Sequence, residues 1–145
     1  MSTAAAAALT PDGLTVLSEE EELFRASVRE FAEGEVRPRV EQMEHASKLD
    51  GDLIKQCFEL GVMAVESPEE YGGAGLGYYE YISTIVETAR ICGSVGLSVA
   101  AHNSLCTGHI LYFANAEQKQ RWLPKLATGE WLGAWALTEP NTCSD

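Results

Sequence analysis

The residues best placed to do chemistry lie at residues 135–145 of this 145-residue chain. A short apolar run is followed by Thr138-Glu139-Pro140, and Ser144 comes just before the last residue. Because proline can continue neither a helix interior nor a strand ladder, Pro140 predicts a strand that leads into a turn. Such a turn presents hydroxyl groups and backbone N–H groups, which suit the polar edge of a flavin or a diphosphate.

A second constellation consists of His102, Cys106 and His109, which stand at positions i, i+4 and i+7 of a predicted helix. That spacing places the three side chains on one face, which is a tolerable arrangement for metal ligands. No fourth ligand accompanies them, and the helix is predicted to be buried. Polar groups at a seam between helices are therefore the favoured interpretation, and no metal site is predicted.

Four glycines between positions 72 and 77 form a loop ahead of a predicted helix. A loop of this kind can bind phosphate through its backbone N–H groups. The dinucleotide-binding pattern requires its glycines directly after a buried strand, whereas here Pro68-Glu69-Glu70 intervenes and the spacing differs. A plain turn is the favoured interpretation.

Composition restricts the possible partners. The chain has 22 acidic and 10 basic residues, so its formal net charge of −12 argues against nucleic acid and anionic membranes. A hydrophobic share of 46% predicts one soluble globular domain, and no apolar run approaches the length of a membrane span.

The cysteines and the amino-terminal segment bear on location. Four scattered cysteines form no CxxC pair, which favours reduced thiols and a cytoplasmic location. Residues 1–16 are rich in alanine but have neither the positive charge of a signal peptide nor the arginines of a transit peptide. We expect this segment to be a disordered tail.

Hydrophobic periodicity predicts five helices and one terminal strand. Ser18 and Glu21 form a capping-box pattern that starts a helix, which Pro38 ends or kinks. The remaining predicted elements are helices at 53–60, 78–89, 94–113 and 115–126 and a strand at 131–137. A lone strand cannot satisfy its own backbone groups, so the simplest expectation is a chain truncated just inside a further domain.

Taken together, several segments resemble the acyl-CoA dehydrogenase family, covering its N-terminal helical domain and the start of its middle β-domain. The matching segments are 28–32 (VREFA), 61–63 (GVM), 68–76 (PEEYGGAGL), 102–105 (HNSL), 117–130 (EQKQRWLPKLATGE) and 136–140 (ALTEP). The stretch 94–111 looks most like the short-chain and branched-chain members. The resemblance implies a mainly α fold, an up-and-down helical bundle at 17–130, with 131–145 forming the first strand and flavin-binding turn of a middle β-domain.

The resemblance also implies an activity. Enzymes of this family use FAD to oxidise an acyl-CoA thioester to the 2,3-enoyl-CoA and usually pass electrons to an electron-transferring flavoprotein. The implied cofactor-binding residues are Trp135, Ala136, Leu137, Thr138, Cys143 and Ser144. Ser144 would also contact the substrate. The carboxylate base and most of the tetramer interface would belong to a C-terminal domain, so no catalytic residue is assigned here.

The sequence departs from the family within the terminal turn. Where the family usually has a small residue and then glycine before Ser-Asp, this chain has Thr142 and Cys143. Glycine serves where the backbone approaches a ligand closely or takes a positive φ, so Cys143 bears directly on the cofactor geometry. Two alternatives remain open: an acyl-CoA oxidase or flavin monooxygenase of the same fold, and a non-catalytic helical interaction module.

Overall fold

Helices dominate residues 16–141, the part of the chain that this computed structural model describes. The α-helices are α1 (Glu19–Phe31), α2 (Val40–Ala46), α3 (Gly51–Glu59), α4 (Tyr78–Ile91), α5 (Gly93–Ala100), α6 (His109–Phe113) and α7 (Ala116–Ala127). Short π and 3-10 segments lie at Ala32–Val36, Arg37–Arg39, Glu69–Tyr71 and Ala101–Gly108. The predicted mainly α class is confirmed. Cys143 and Ser144 lie outside the described part, and so does the predicted tail at 1–16 except for residue 16.

α1 begins as its sequence predicts. The Glu21 amide donates to Ser18 Oγ at 3.2 Å, and the Ser18 amide donates to Glu21 Oε2 at 2.6 Å. This capping box satisfies amides that have no partner within the helix, and the acidic first turn complements the helix dipole.

Pro38 changes the type of helix but does not end the helical path. α1 continues through the π segment Ala32–Val36 and the 3-10 turn Arg37–Arg39 into α2. Proline is tolerated in the first turn of a new helical segment, because the N–H it lacks has no partner there anyway. α2 was therefore not predicted as a separate element.

α5, the π segment Ala101–Gly108 and α6 together form one helical path, which corresponds to the predicted helix at 94–113. This path is rich in small residues, and it packs closely at Gly96, where an added Cβ would lie 2.6 Å from the Ala89 Cβ of α4. Gly96 thus allows α5 to pack closely on α4. Around this contact the core contains Val28, Ala32, Val36, Leu53, Cys57, Val62, Met63, Val95 and Val99.

A buried carboxylate joins α4 to α1. The Glu87 side chain is only 1% exposed, and its oxygens accept hydrogen bonds from Arg25 and Arg29 of α1 and Arg90 of α4 at 2.8–3.2 Å. Hydrogen bonds from Arg29, supported by those from Arg25 and Arg90, lower the pKa of Glu87 to about 2. Arg90 extends the network to Glu33, which also pairs with Arg37. Three cations therefore compensate one desolvated charge.

The predicted strand at 131–137 is not observed among the described residues. α7 starts with a capping box between Asn115 and Gln118 and ends before Gly129, whose φ of 79° turns the chain back. Beyond it the chain is irregular and extended. The strand prediction was wrong for this chain because no other described segment pairs with it, and a ladder needs a partner.

None of the helices within residues 16–141 is both long enough and apolar enough to cross a membrane.

Candidate functional site

The segment after α7 is fixed to the helical domain at its start and exposed further along. The Trp131 amide donates to the Lys125 carbonyl oxygen at 3.0 Å. The Lys125 ammonium lies 4.7 Å from the centroid of the Trp131 ring and 2.7 Å from Glu130 Oε1. A cation over an aromatic face is attracted by the ring quadrupole, so Lys125 helps to hold the first residue of the segment.

His102 provides the second attachment. This side chain is fully buried in the π segment Ala101–Gly108. Its Nδ1 accepts a hydrogen bond from the Gly133 amide at 2.9 Å, and its Nε2 lies 3.2 Å from the Leu126 carbonyl oxygen. Burial lowers the pKa of His102, and the Leu126 carbonyl opposes that effect. The neutral ring therefore links α7 and the terminal segment to one buried position.

Cys106 and His109 also contact the segment after α7. A Cβ on Gly133 would lie 2.6 Å from Cys106 Sγ, so the approach requires a glycine. Burial raises the pKa of the Cys106 thiol, and a hydrogen bond from the Ala134 amide partly offsets this. The rings of His109 and Trp135 meet edge to face with centroids 4.0 Å apart. The three side chains of the second constellation thus face residues 133–135.

These contacts agree with the helix-seam interpretation of His102, Cys106 and His109. Both ring nitrogens of His102 have protein partners, and His109 Nδ1 lies 3.2 Å from the Ser104 carbonyl oxygen. Within residues 16–141 no cluster of histidine, cysteine and acidic side chains could hold a metal ion.

Beyond this attachment the segment is open to solvent. Trp135 is 40% exposed and Leu137 68% exposed, and Ala136 and Thr138 are exposed as well. The backbone N–H and C=O groups of residues 136–138 make no hydrogen bond to another described residue. The segment is thus anchored at one end, and beyond that end its backbone donors and acceptors have no partner among the described residues. Of the six predicted cofactor-binding residues, Trp135, Ala136, Leu137 and Thr138 lie together here, whereas Cys143 and Ser144 lie outside the described residues.

The glycine-rich loop uses its own backbone N–H groups. The amides of Ala74, Gly75 and Leu76 each donate at 2.9 Å to a carbonyl oxygen of Ala64, Ser67 or Val65. A Cβ added at Gly73 would clash with the Ser67 carbonyl oxygen, so the two sides of the loop are in close contact. Donors that are already paired cannot bind phosphate, which agrees with the plain-turn interpretation.

Asn103 is a structural residue whose role the sequence did not indicate. Its buried side chain accepts from the Val65 amide at 3.1 Å and donates to the carbonyl oxygens of Val62 and Val99, both at 2.9 Å. It thereby attaches the loop to the same π segment that holds His102. In the sequence it was marked only as part of the segment 102–105 (HNSL) that resembles the family.

The tyrosines of α4 separate into core and surface. Tyr81 is buried, but Tyr78 and Tyr79 are 64% and 41% exposed. With Leu17, Ile82 and Val86 they line an open groove of about 540 Å³ beside Arg25. This apolar groove lies on a different part of the domain from the terminal segment.

Comparison with known proteins places the chain in a family. Residues 18–130 match the family described as acyl-CoA dehydrogenase, N-terminal domain. The chain is 43% identical to an acyl-CoA dehydrogenase of Bacillus subtilis over 89% of its length and 34% of the relative's. It is 38% identical to the mitochondrial isovaleryl-CoA dehydrogenase of Pongo abelii over 92% of its length and 32% of the relative's.

A solved structure is similar over most of the chain. The glutaryl-CoA dehydrogenase of Mycobacterium smegmatis, determined in complex with FADH2, matches with a TM-score of 0.80 and 31% identity. The match covers 87% of this chain and 32% of that one. The chain therefore spans about a third of the length of the proteins it matches. The family consists of oxidoreductases whose cofactor is FAD. The match over residues 18–130 shows that the chain belongs to the acyl-CoA dehydrogenase family and carries its N-terminal domain.

Proposed function

We propose that this chain is the N-terminal portion of an FAD-dependent acyl-CoA dehydrogenase, which oxidises an acyl-CoA to the 2,3-enoyl-CoA. The observation that carries the proposal is the segment at 131–138, anchored on His102 and open beyond Trp135. In this proposal residues 17–130 are the helical domain, and residues 131–145 begin a middle β-domain that the relatives' greater length can accommodate.

The open part of the segment fits the polar edge of a flavin. The backbone N–H and C=O groups at 136–138 have no partner among the described residues. Together with the Thr138 hydroxyl they can pair with the donors and acceptors of the ring. We assign Trp135, Ala136, Leu137 and Thr138 to FAD, together with Cys143 and Ser144, and we assign Ser144 to the substrate as well. FAD, when bound, supplies the two-electron acceptor for the oxidation. The chain's own contribution is a binding edge whose start is held to the helical domain through Trp131 and Gly133. Such an edge loses less conformational entropy on binding than a segment free at both ends.

The proposal assigns no catalytic base to residues 1–145, and it places that carboxylate in a further part of a longer protein. The partners we propose are the acyl-CoA substrate, an electron-transferring flavoprotein and three further copies in a tetramer, in the cytoplasm. The net charge of −12 agrees with the absence of nucleic acid from this set. Cys57, Cys92 and Cys106 are free thiols, which is compatible with a reducing compartment.

A first experiment uses the chain by itself. We expect residues 1–145 to bind FAD too weakly to retain it, since they supply only one edge of the site. The chain is mixed with excess FAD, passed through a gel-filtration column and examined by flavin absorbance. A stoichiometric yellow complex would contradict the expectation.

A second experiment restores the remainder of a longer protein. Residues 1–145 are joined to the part of the Bacillus subtilis relative that follows its matched segment. We expect the chimera to bind FAD and to reduce an electron-accepting dye when given an acyl-CoA. A chimera that is folded and yellow but leaves every acyl-CoA unchanged would refute the proposed activity. Release of hydrogen peroxide in air would instead identify an oxidase.

The exposed groove favours a second candidate function, a helical interaction module. Tyr78, Tyr79, Ile82 and Val86 form an apolar surface of the kind that protein partners cover. This candidate predicts self-association of the isolated chain through the groove. Light scattering of the wild type and of Tyr78→Ser checks it, and a monomer in both would count against the module.

A further inference from the structure

We propose that His102 is a positioning residue, whose neutral imidazole fixes the course of the terminal segment toward the flavin by accepting the Gly133 amide proton. The role toward the flavin rests on the function proposed above. The attachment itself rests on the contacts of the described residues alone.

The two hydrogen bonds determine the tautomer. The Gly133 amide can only donate, so Nδ1 must carry a lone pair. The Leu126 carbonyl can only accept, so Nε2 must carry the proton. A ring protonated at both nitrogens could not accept from Gly133, and a ring protonated only at Nδ1 would oppose both partners. One tautomer therefore satisfies the whole arrangement.

The surroundings of the ring restrict its orientation. Phe58 of α3 meets the imidazole at 85° with centroids 5.2 Å apart. The Cβ position of Gly133 would lie 3.2 Å from Nδ1, so the segment passes directly against the ring edge. Since His102 is fully buried, this edge makes contact with protein and not with bulk water.

The hydrogen bond to His102 lies just before the residues that we assign to FAD. Gly133 lies two residues before Trp135, the first residue assigned to FAD, and the segment beyond Trp135 makes no hydrogen bond to another described residue. The direction in which residues 135–138 leave the domain thus depends on contacts at residues 131–135. Among these, the bond to His102 fixes a backbone amide to a fully buried side chain, whereas the Ala134 amide bonds to the half-buried Cys106.

The tautomer provides a direct test on the wild-type chain. A long-range proton–nitrogen correlation spectrum of the 15N-labelled chain distinguishes protonated from unprotonated ring nitrogens. We expect Nδ1 of His102 to be unprotonated and Nε2 to be protonated. A ring protonated at Nδ1 would overturn the proposal without any substitution.

Two conservative variants separate the two bonds. In His102→Asn the amide oxygen can take the place of Nδ1 and accept from Gly133. In His102→Gln the amide nitrogen can take the place of Nε2 and donate to Leu126. We expect Gly133 amide exchange to be close to wild type in the asparagine variant. In the glutamine variant we expect it to be faster by about tenfold, the effect of losing one hydrogen bond.

The exposed His45 supplies the matched control, since its side chain is 81% exposed. His45→Asn and His45→Gln should leave Gly133 exchange unchanged. The Leu123 amide of the buried face of α7 reports in each sample whether the domain is folded. The proposal is overturned if the Gly133 amide exchanges at the same rate in wild type, His102→Asn and His102→Gln. It is also overturned if Gly133 exchange is accelerated equally in both His102 variants while the Leu123 amide stays protected from exchange. If a His102 variant unfolds, the tautomer spectrum decides.

The chimera described above tests the role toward FAD separately. We expect His102→Gln to weaken FAD binding and His102→Asn to retain most of it. If FAD affinity is unchanged in His102→Gln although Gly133 exchanges faster, the role toward the flavin is refuted. If the wild-type chimera binds no FAD, the proposed function fails, whereas the exchange results on the 145-residue chain remain valid.

Discussion

The buried carboxylate of Glu87 allows a quantitative test of what holds α1 on α4. The substitution Glu87→Gln keeps the size of the side chain and removes its charge. Arg25, Arg29 and Arg90 then face a neutral amide, whose nitrogen is a donor like their own. We expect the substitution to lower the free energy of unfolding substantially at neutral pH.

The pKa of Glu87 gives the size of the effect. A fall of this pKa from 4.5 to about 2 on folding corresponds to about 3 kcal/mol of stability at pH 7. Removing one partner from a buried ion pair costs about 3–5 kcal/mol in other proteins. The arginines are 35–51% exposed on their side chains, so water compensates part of their charge and the lower end of that range applies.

The dependence on pH has a definite sign. Because the folded-state pKa lies below the unfolded value of 4.5, the stabilisation is complete above about pH 5 and is lost as the pH falls toward 2. The difference between wild type and Glu87→Gln should therefore be about 3 kcal/mol at pH 7 and less than half of that at pH 3.

Urea unfolding followed by circular dichroism at both pH values measures this difference. With a slope of about 2 kcal/mol per molar urea, the midpoint at pH 7 should fall by about 1.5 M. Glu30→Gln is the matched control, since Glu30 is an exposed acid of α1, the helix that carries Arg25 and Arg29, and has no ion pair among the described residues. Its expected effect is within about 0.5 kcal/mol. A Glu87→Gln effect no larger than that of Glu30→Gln, or one that does not shrink at pH 3, would refute the reasoning.

Two further predictions concern buried groups. Asn103→Leu should lower the free energy of unfolding by about 2–4 kcal/mol in the same urea assay, because the Val65 amide and two carbonyl oxygens lose their partner. An effect below about 0.5 kcal/mol would show that these bonds contribute little to stability. Burial raises the pKa of Cys57 to about 11, so we expect this thiol to resist iodoacetamide at pH 8 until urea is added, whereas the half-buried Cys92 should react earlier. Mass spectrometry of the labelled peptides measures both rates. Equal rates at the two cysteines in the native protein would contradict the prediction.

Local sequence patterns predicted the helices well where their signals are short in range. Ser18 with Glu21, and Asn115 with Gln118, mark helix starts through bonds between residues three positions apart. The segment at 131–137 could not be predicted in the same way. Its apolar composition suits a strand, but a strand exists only when a second segment pairs with it, and residues 16–141 provide none.

The candidate site was predicted in its parts and not in its assembly. The sequence singled out the terminal segment and, separately, His102, Cys106 and His109, and the family match supports the resemblance on which the FAD assignment depends. Trp135 to Thr138 remain a prediction as cofactor-binding residues. That His102 contacts Gly133, 31 positions away, follows only from the way α7 folds back over the π segment.

The sequence by itself thus determined the helical class, the family and the residues worth testing. Capping, periodicity and family motifs depend on residues close together along the chain, so they can be recognised without the tertiary structure. The tertiary structure decided which polar groups already have hydrogen-bond or ion-pair partners within the domain. It pairs the amides of the glycine-rich loop internally, places Glu87 among three arginines and directs both nitrogens of His102 to backbone partners. The physical reason is that the partner of a buried donor or acceptor is set by packing between distant segments, and no local pattern specifies it.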